Sequence, residues 1–515
     1  MGSVRADSGA FEHALAQLGE RSFETKGEAV ATIAASGDER ALPLLKGLLA
    51  GDVYLRTSDQ RLVFAEKSDS GYRLRDVIDG AELGEAGSRD VKKVAVNNSL
   101  RAQLRGAIAA LSLGSPNPLV RLQAVRDMQG DAGAVAVLRE RLPREEDPQV
   151  RAALELGIAL ADLGAESAEA RLAAVAALEG SLEPAVRNRL ANLAEQDPEA
   201  SVKAAAGKAL AGIESRLQVY ATAETLFFGL SLGSVLVLAA IGLAITFGVM
   251  GVINMAHGEL IMLGAYTTYL VQQALPGALD YSVLLAIPAA FLVSGLFGIA
   301  IERLVIRFLY GRPLETLLAT FGVSLILQQL VRTGISAQNV VVENPGWMSG
   351  SVQINPVLSL TYNRIYILIF SLLVFVALLL LLKRTALGLQ VRAVSQNRAM
   401  ARTMGVRSAR VDALTFGLGA GIAGIAGVAL SQLTNVGPNM GQAYIIDSFM
   451  VVVFGGVGNL WGTLIGGLTL GVANKLMEPW AGAVLAKILV LVFIILFIQK
   501  RPRGLFPQRG RAAEA

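Results

Sequence analysis

The chain has no cysteine, which excludes disulfides and thiolate metal sites. Histidine is almost as scarce. His13 and His257 are the only two, too few for a histidine-ligated zinc centre, so neither a metal nor a cofactor is expected. No GxxxxGK run followed by Ser or Thr occurs, so no nucleotide-binding P-loop is encoded. The opening MGSVRADSGAFEHALAQLGE has no apolar stretch of the kind a signal peptide needs. Gly2 begins a myristoylation pattern, but Ala6 stands where that pattern requires Ser or Thr. Charge is thin, at 17% of residues, and it is unevenly placed. Residues 1–220 hold 27 basic and 32 acidic side chains, whereas residues 221–515 hold 19 basic and 10 acidic ones among long apolar runs. The overall pI averages two unlike bodies and gives no reason to expect nucleic acid.

What is present divides accordingly. The composition predicts an N-terminal soluble domain over 1–220, a polytopic α-helical membrane domain over 221–505 and a short tail over 506–515. Residues 8–50 read as two short amphipathic helices, with Phe11, Leu15 and Leu18 and then Val30, Ile33, Leu45 and Leu48 on their apolar faces. From about 52 to 96 the period changes to alternation, as in VYLR, RLVFAEK and GYRLRDVI. Gly51, Ser58-Asp59, Ser70-Gly71 and Asp79-Gly80 punctuate it, which predicts a small antiparallel sheet. Residues 100–215 are helical and repetitive. Asn117-Pro118, Asp147-Pro148 and Glu183-Pro184 each open a similar motif, 30 and 36 residues apart. Each places a capping residue and Pro at a helix start, and such units bury their faces only by stacking. They read as a short HEAT-like array.

Apolar spans follow near 225–249, 258–275, 282–306, 315–331, 362–382, 411–432, 444–457, 461–476 and 484–499, giving eight to nine crossings. The segments 444–457 and 461–476 are short and broken by Gly, as re-entrant halves would be. Basic residues concentrate in 302–315, 383–410 and 500–511. The positive-inside rule puts these loops and the C-terminus in the cytoplasm and the N-terminal domain on the outer, periplasmic side. A large outer domain without an export signal is in tension with that count; either a start upstream, the preferred reading, or a count wrong by one span resolves it.

Four stretches carry candidate chemistry, the last of them 388–406. In 246–264, TFGVMGVINMAHGELIMLG, an apolar tract is interrupted by Asn254, His257 and Glu259, with Gly258 among them. Polar groups at membrane depth are costly and by default line a pathway, and a broken helix is tolerated where its backbone faces protein or water. The bland alternative is a tight turn with Asn254 as helix N-cap and Glu259 in the first turn. In the second stretch, Gly419 to Gly424 satisfies GxGxxG but has no preceding strand. Gly421 and Gly424, with Gly417 and Gly427, are better explained as close helix–helix contacts. Gly455, Gly456, Gly458 and Asn459 break another span, for packing or to expose backbone to a pathway. The fourth, 388–406, GLQVRAVSQNRAMARTMGV, is too polar to be membrane-buried. It reads as a headgroup-facing basic loop or as a coupling helix docking on a cytoplasmic partner. Arg392, Val394, Gln396, Arg398, Met404 and Gly405 are its candidate contacts.

INMAHGELIMLGAY, LGLQVRAVSQNRAMARTMGV and VVFGGVGNLWGTLIGG together resemble the branched-chain amino-acid permease family of ABC importers, over about 221–505. The long N-terminal extension resembles that of the urea-transporting members. The resemblance implies a transmembrane subunit that is not itself an enzyme. Its implied partners are a second homologous permease, two cytoplasmic ATPases and a periplasmic substrate-binding protein. It places 388–406 at the ATPases and 254–259 near the translocation path of an inner-membrane protein. Urea or a short amide is the first cargo implied, and branched-chain amino acids are the alternative. An ATP-independent urea channel and a membrane-anchored scaffold are the readings from other classes.

Overall fold

Proline-led starts and capping side chains set the helices of the N-terminal part, and alternation sets its sheet. The computed structural model describes residues 8–68, 71–129 and 134–507. It divides into two compact units, Met1–Arg216 and Leu217–Ala515.

The first unit begins with three helices, α1 (Ser8–Leu18), α2 (Phe23–Ala35) and α3 (Ala41–Ala50), where the sequence pattern suggested two. The extra break falls at Ser36 to Arg40, where Asp38 accepts from the backbone and guanidinium of Arg40. Phe11, Leu18, Ile33, Leu44 and Leu48 close a core with Val53 and Leu104. The alternating stretch forms β1 (Val53–Arg56), β2 (Leu62–Ser68), β3 (Gly71–Asp76), β4 (Glu82–Ala86) and β5 (Val91–Lys93). They make an antiparallel sheet in the order β4-β3-β2-β1-β5. Of the predicted turn residues, Ser70 lies outside the described residues.

Six helices follow: α4 (Asn98–Leu113), α5 (Pro118–Met128), α6 (Val135–Arg141), α7 (Pro148–Asp162), α8 (Ala168–Ala177) and α9 (Pro184–Gln196). Asn117 and Asp147 cap α5 and α7 through their side-chain oxygens, as their place before Pro suggests. A second likeness runs across these motifs. Arg121 of α5 is buried and paired with Glu145, and it donates to the Ser115 and Pro116 carbonyls. Arg171 of α8 is buried, paired with Asp197, and donates to the Ala165 and Glu166 carbonyls. The same buried bridge thus recurs on α5 and on α8, although α8 lacks the proline.

The second unit contains the long apolar helices. Helix α10 (Ala200–Met250) contributes residues to both units. It is followed by α11 (His257–Ala274), α12 (Leu279–Leu304) and α13 (Pro313–Gly334). A hairpin of β6 (Ser351–Gln353) and β7 (Ser359–Thr361) leads into α14 (Tyr362–Arg384). Then come α15 (Ala386–Gln396), α16 (Arg398–Thr403), α17 (Ser408–Ser431), α18 (Met440–Gly455) and α19 (Leu460–Lys500). Among the described residues, six helices are long and apolar enough to cross a membrane, fewer than the eight to nine expected. The stretch at 258–275 is α11, whose first turns are polar and buried, and 444–457 is the shorter α18. The last two expected spans both lie in α19, which Gly482 (φ 77°, ψ 161°), shortly after Pro479, breaks into two helices.

Helix α17 is the centre of this unit, with most of its residues buried. Its glycines explain why. A Cβ on Gly264 of α11 would collide with the Gly424 carbonyl, and one on Gly424 with Ser294 and the Ala290 carbonyl of α12. Gly421 faces Phe291 in the same way. Without side chains in between, helices approach closely and gain van der Waals contact, the main attraction available between apolar helices in lipid.

Candidate functional site

Helix α10 stops at Met250, and Gly251 turns the chain with φ 64°. Residues 251–256 then run without helix to the start of α11. The N-cap position of α11 is Ala256, without a side-chain cap, so Asn254 does not cap this helix. Its Oδ1 instead accepts the Ala256 N–H at 3.0 Å within the turn. Asn254, His257 and Glu259 are all buried, but they face different neighbours.

The carboxylate of Glu259, in the first turn of α11, faces α13. Its Oε1 accepts from Ser324 Oγ at 3.0 Å and Gln328 Nε2 at 2.8 Å. One turn earlier the Met255 N–H donates to Thr320 Oγ1 at 3.1 Å. Glu259 Oε2 and Asn254 Nδ2 are buried and have no partner among the described residues. Oε2 lies where Gly441 of α18 presents bare backbone: a Cβ there would stand 2.7 Å from it. Gly258 lies against the same glycine, backbone to backbone. His257 points the other way. Its Nε2 is 2.8 Å from the Ala239 carbonyl of α10, and since a carbonyl only accepts, the ring proton sits on Nε2. The structure brings Gly258 and Glu259 to the α11–α13–α18 junction, keeps Asn254 in the turn that leads into α11, and uses His257 to hold α11 against α10.

The partners on α13 escaped the sequence reading. Thr316, Thr320, Ser324 and Gln328 are buried and four residues apart, so they form one polar line along an otherwise apolar helix. Arg332 continues it and donates to Asn439. The signal was legible as a four-residue period of hydroxyl and amide side chains. Ser324 is 11 residues into the 22-residue helix, which puts the Glu259 contact half-way along the span.

At the second glycine break the chain packs on itself. Gly456 and Gly458 adopt positive φ (107° and 78°), and Gly455 lies against Gly462. Asn459 caps α19 by accepting the Gly462 N–H, and its Nδ2 donates to the Phe506 carbonyl. Leu505 and Phe506 donate in turn to the Phe454 and Gly455 carbonyls. This break holds the chain's own C-terminal segment.

The 388–406 stretch forms a helical hairpin, α15 and α16, with Gly405 (φ 86°) turning into α17. The apolar stripe of Val391, Val394 and Ala401 faces inward onto Val411 and is not available to a partner. Met404, another of the candidate contacts, is 78% exposed, as are Met400 at 61% and Leu389 at 63%. Arg392 donates to the Leu382 carbonyl, Gln396 is exposed, and Arg398 pairs with Asp412.

Residues 225–498 match the family described as branched-chain amino acid transport system / permease component, more than half of the chain. The chain belongs to this family. Similar relatives include the high-affinity branched-chain amino acid transport system permease protein LivH of Salmonella typhimurium. It is 32% identical over 291 residues, covering 55% of this chain and 94% of the relative. BraD of Pseudomonas aeruginosa, described in the same words, is 32% identical over 297 residues, covering 56% and 96%. The probable LivH of Methanocaldococcus jannaschii is 27% identical over 290 residues, covering 53% and 88%. No solved structure is significantly similar. As a member of the branched-chain amino acid permease family, the chain is a multi-pass membrane transport subunit of ABC type, and the polar junction and the hairpin both lie within the matched residues.

Proposed function

We propose that this chain is the permease subunit of an ATP-driven importer that lines the solute path at the junction of α11, α13 and α18. The observation that carries the proposal is that Glu259 Oε2, an acceptor, and Asn254 Nδ2, a donor, are buried without partners at the helix break, as is His257 Nδ1. Buried polar groups without partners are expensive, and a path for a polar solute is a reason to retain them. The subunit makes and breaks no bonds. ATP hydrolysis belongs to cytoplasmic partner subunits that meet the exposed Leu389, Met400 and Met404 of the hairpin. A second homologous permease and a periplasmic substrate-binding protein complete the complex, and the path opens alternately to each side. The basic loops face the cytoplasm. The paired helices and recurrent arginine bridges of the N-terminal unit fit a HEAT-like module.

The names of the relatives favour branched-chain amino acids as cargo. A second reading, urea or a short amide, has its own support. Thr316, Thr320, Ser324 and Gln328 offer donors and acceptors without a fixed charge, which suits a small neutral solute. The family match also leaves residues 1–224 outside, so the N-terminal unit is a departure from the common pattern.

Uptake of labelled leucine and labelled urea, in cells lacking the gene and in cells with it restored, tests both readings, with ATP depletion as the control. Gene-dependent, ATP-dependent uptake of leucine alone establishes the amino-acid importer, and of urea alone the urea importer. Flux that persists without ATP would mean a channel and sink the proposal.

A further inference from the structure

The hairpin of α15 and α16 is fixed to the spans by an apolar contact and by three arginines. Arg392 donates to the Leu382 carbonyl of α14, Arg402 to Ser408 Oγ at the start of α17 at 2.8 Å, and Arg398 to Asp412. Val391, Val394 and Ala401 rest on Val411 in an apolar contact, which resists separation but has no direction of its own. Arg398 adds direction. Its guanidinium donates to both oxygens of Asp412 on α17, at 2.8 and 3.1 Å, and the Asp412 side chain is only 2% exposed. The same guanidinium stands 4.7 Å from the ring centre of Tyr310, in the connection between α12 and α13. Tyr310 in turn donates its hydroxyl to Glu302 Oε1, near the end of α12, at 3.2 Å. One side chain of the hairpin is thereby joined to two spans.

Those spans lead to the polar break. Helices α12 and α17 meet through Gly295, Gly417 and Gly424, and Gly427 of α17 lies against the Ile261 carbonyl of α11, two residues from Glu259. Contacts this close leave no slack, because an interior packed to such density passes a displacement on rather than absorbing it.

We propose that Arg398 is the positioning residue through which a movement of the hairpin is delivered to α17 and α12, and by them to the Asn254–Glu259 break. This rests on the reading of the chain as an ATP-driven permease whose hairpin meets the ATPase. A bidentate guanidinium–carboxylate pair fixes orientation as well as distance, which a lysine ammonium cannot do. The exposed Leu389, Met400 and Met404 take up the push, and Arg398 keeps the hairpin from rolling on its apolar footing.

The test uses the complete transporter with Arg398→Lys, Asp412→Asn and the exchange of both, Arg398→Asp with Asp412→Arg. Complex abundance, ATP hydrolysis and solute uptake are measured side by side. In the two single variants, uptake per ATP hydrolysed should fall about tenfold while abundance and hydrolysis stay within about twofold, a loss within the usual range of coupling energies. The exchange should recover part of the ratio. An unchanged ratio in both single variants overturns the inference. So does a loss of uptake that only follows a loss of complex abundance, since that marks a purely structural pair. A wild-type protein whose uptake ignores ATP overturns the importer reading itself, and this inference with it; a coupled wild type with unaffected variants overturns the inference alone.

Discussion

Glu259 and His257 sit two positions apart at the start of α11, and their surroundings divide their work. Both are interruptions of an apolar run, so sequence alone places both on a path. Position on the helix separates them: Glu259 turns to the hydroxyl and amide of α13, and His257 to a backbone carbonyl of α10. Glu259→Ala would leave the Ser324 and Gln328 donors buried without an acceptor, at about 1–3 kcal/mol. It should lower membrane abundance and uptake together. Glu259→Gln keeps the shape and one acceptor oxygen, so abundance should hold while uptake falls. Equal uptake per molecule in wild type and Glu259→Gln would remove this carboxylate from the path. Immunoblotting of membranes alongside labelled-solute uptake reads both quantities.

At the scale of elements, the close approach of α11, α12 and α17 is the feature most legible in the sequence, because glycines at 417, 421, 424 and 427 mark one helix for tight contact. Which helices it meets was not legible, since small residues say how near a neighbour comes and not which neighbour it is. The contrast between two glycines tests this. Gly264→Ala drives a methyl into the Gly424 backbone, and overpacking of this kind costs about 1–3 kcal/mol. Gly322 of α13 has open space around it, so Gly322→Ala should be neutral or stabilise by up to about 1 kcal/mol through helix propensity. Thermal unfolding in detergent should separate the two. Equal midpoints would mean that α11 and α17 are not held by backbone contact. The α13 line of Thr316, Thr320, Ser324 and Gln328 was equally available as a period of four, but it was masked by the apolar residues between.

At the scale of the molecule, the two units respond to different conditions. In the N-terminal unit the Arg121 hydrogen bonds hold the Glu145 carboxyl down at about 2 against the opposing effect of burial, helped by the Asp147 N–H and Arg141. A carboxyl lowered on folding adds stability that is complete above its ordinary value of 4.5 and is lost as pH falls through about 2. Hydrogen exchange of α5 to α7 in the full chain should therefore accelerate as pH drops through that window, after correction for the intrinsic pH dependence of exchange. Arg121→Ala should weaken the same helices by about 3 kcal/mol, because it strips a buried charge of its main partner, and should flatten the acid response. If corrected protection is the same at the two ends of the window, the bridge does not stabilise the fold.

Composition and periodicity by themselves determined that a charged, mixed body precedes an apolar helical one, that a small antiparallel sheet lies near residue 50 to 96, and that polar groups interrupt the membrane part near 254. These are local properties: burial cost, side-chain period and backbone freedom are written in neighbouring residues. The tertiary structure alone decided that α5 and α8 carry the same buried arginine bridge, that Val394 faces inward while Met404 faces out, and that Arg398 ties the hairpin to two spans. Each of these depends on which distant residue fills the space opposite. Residues 65 or more positions apart, such as Glu259 and Ser324, meet only once the chain has folded.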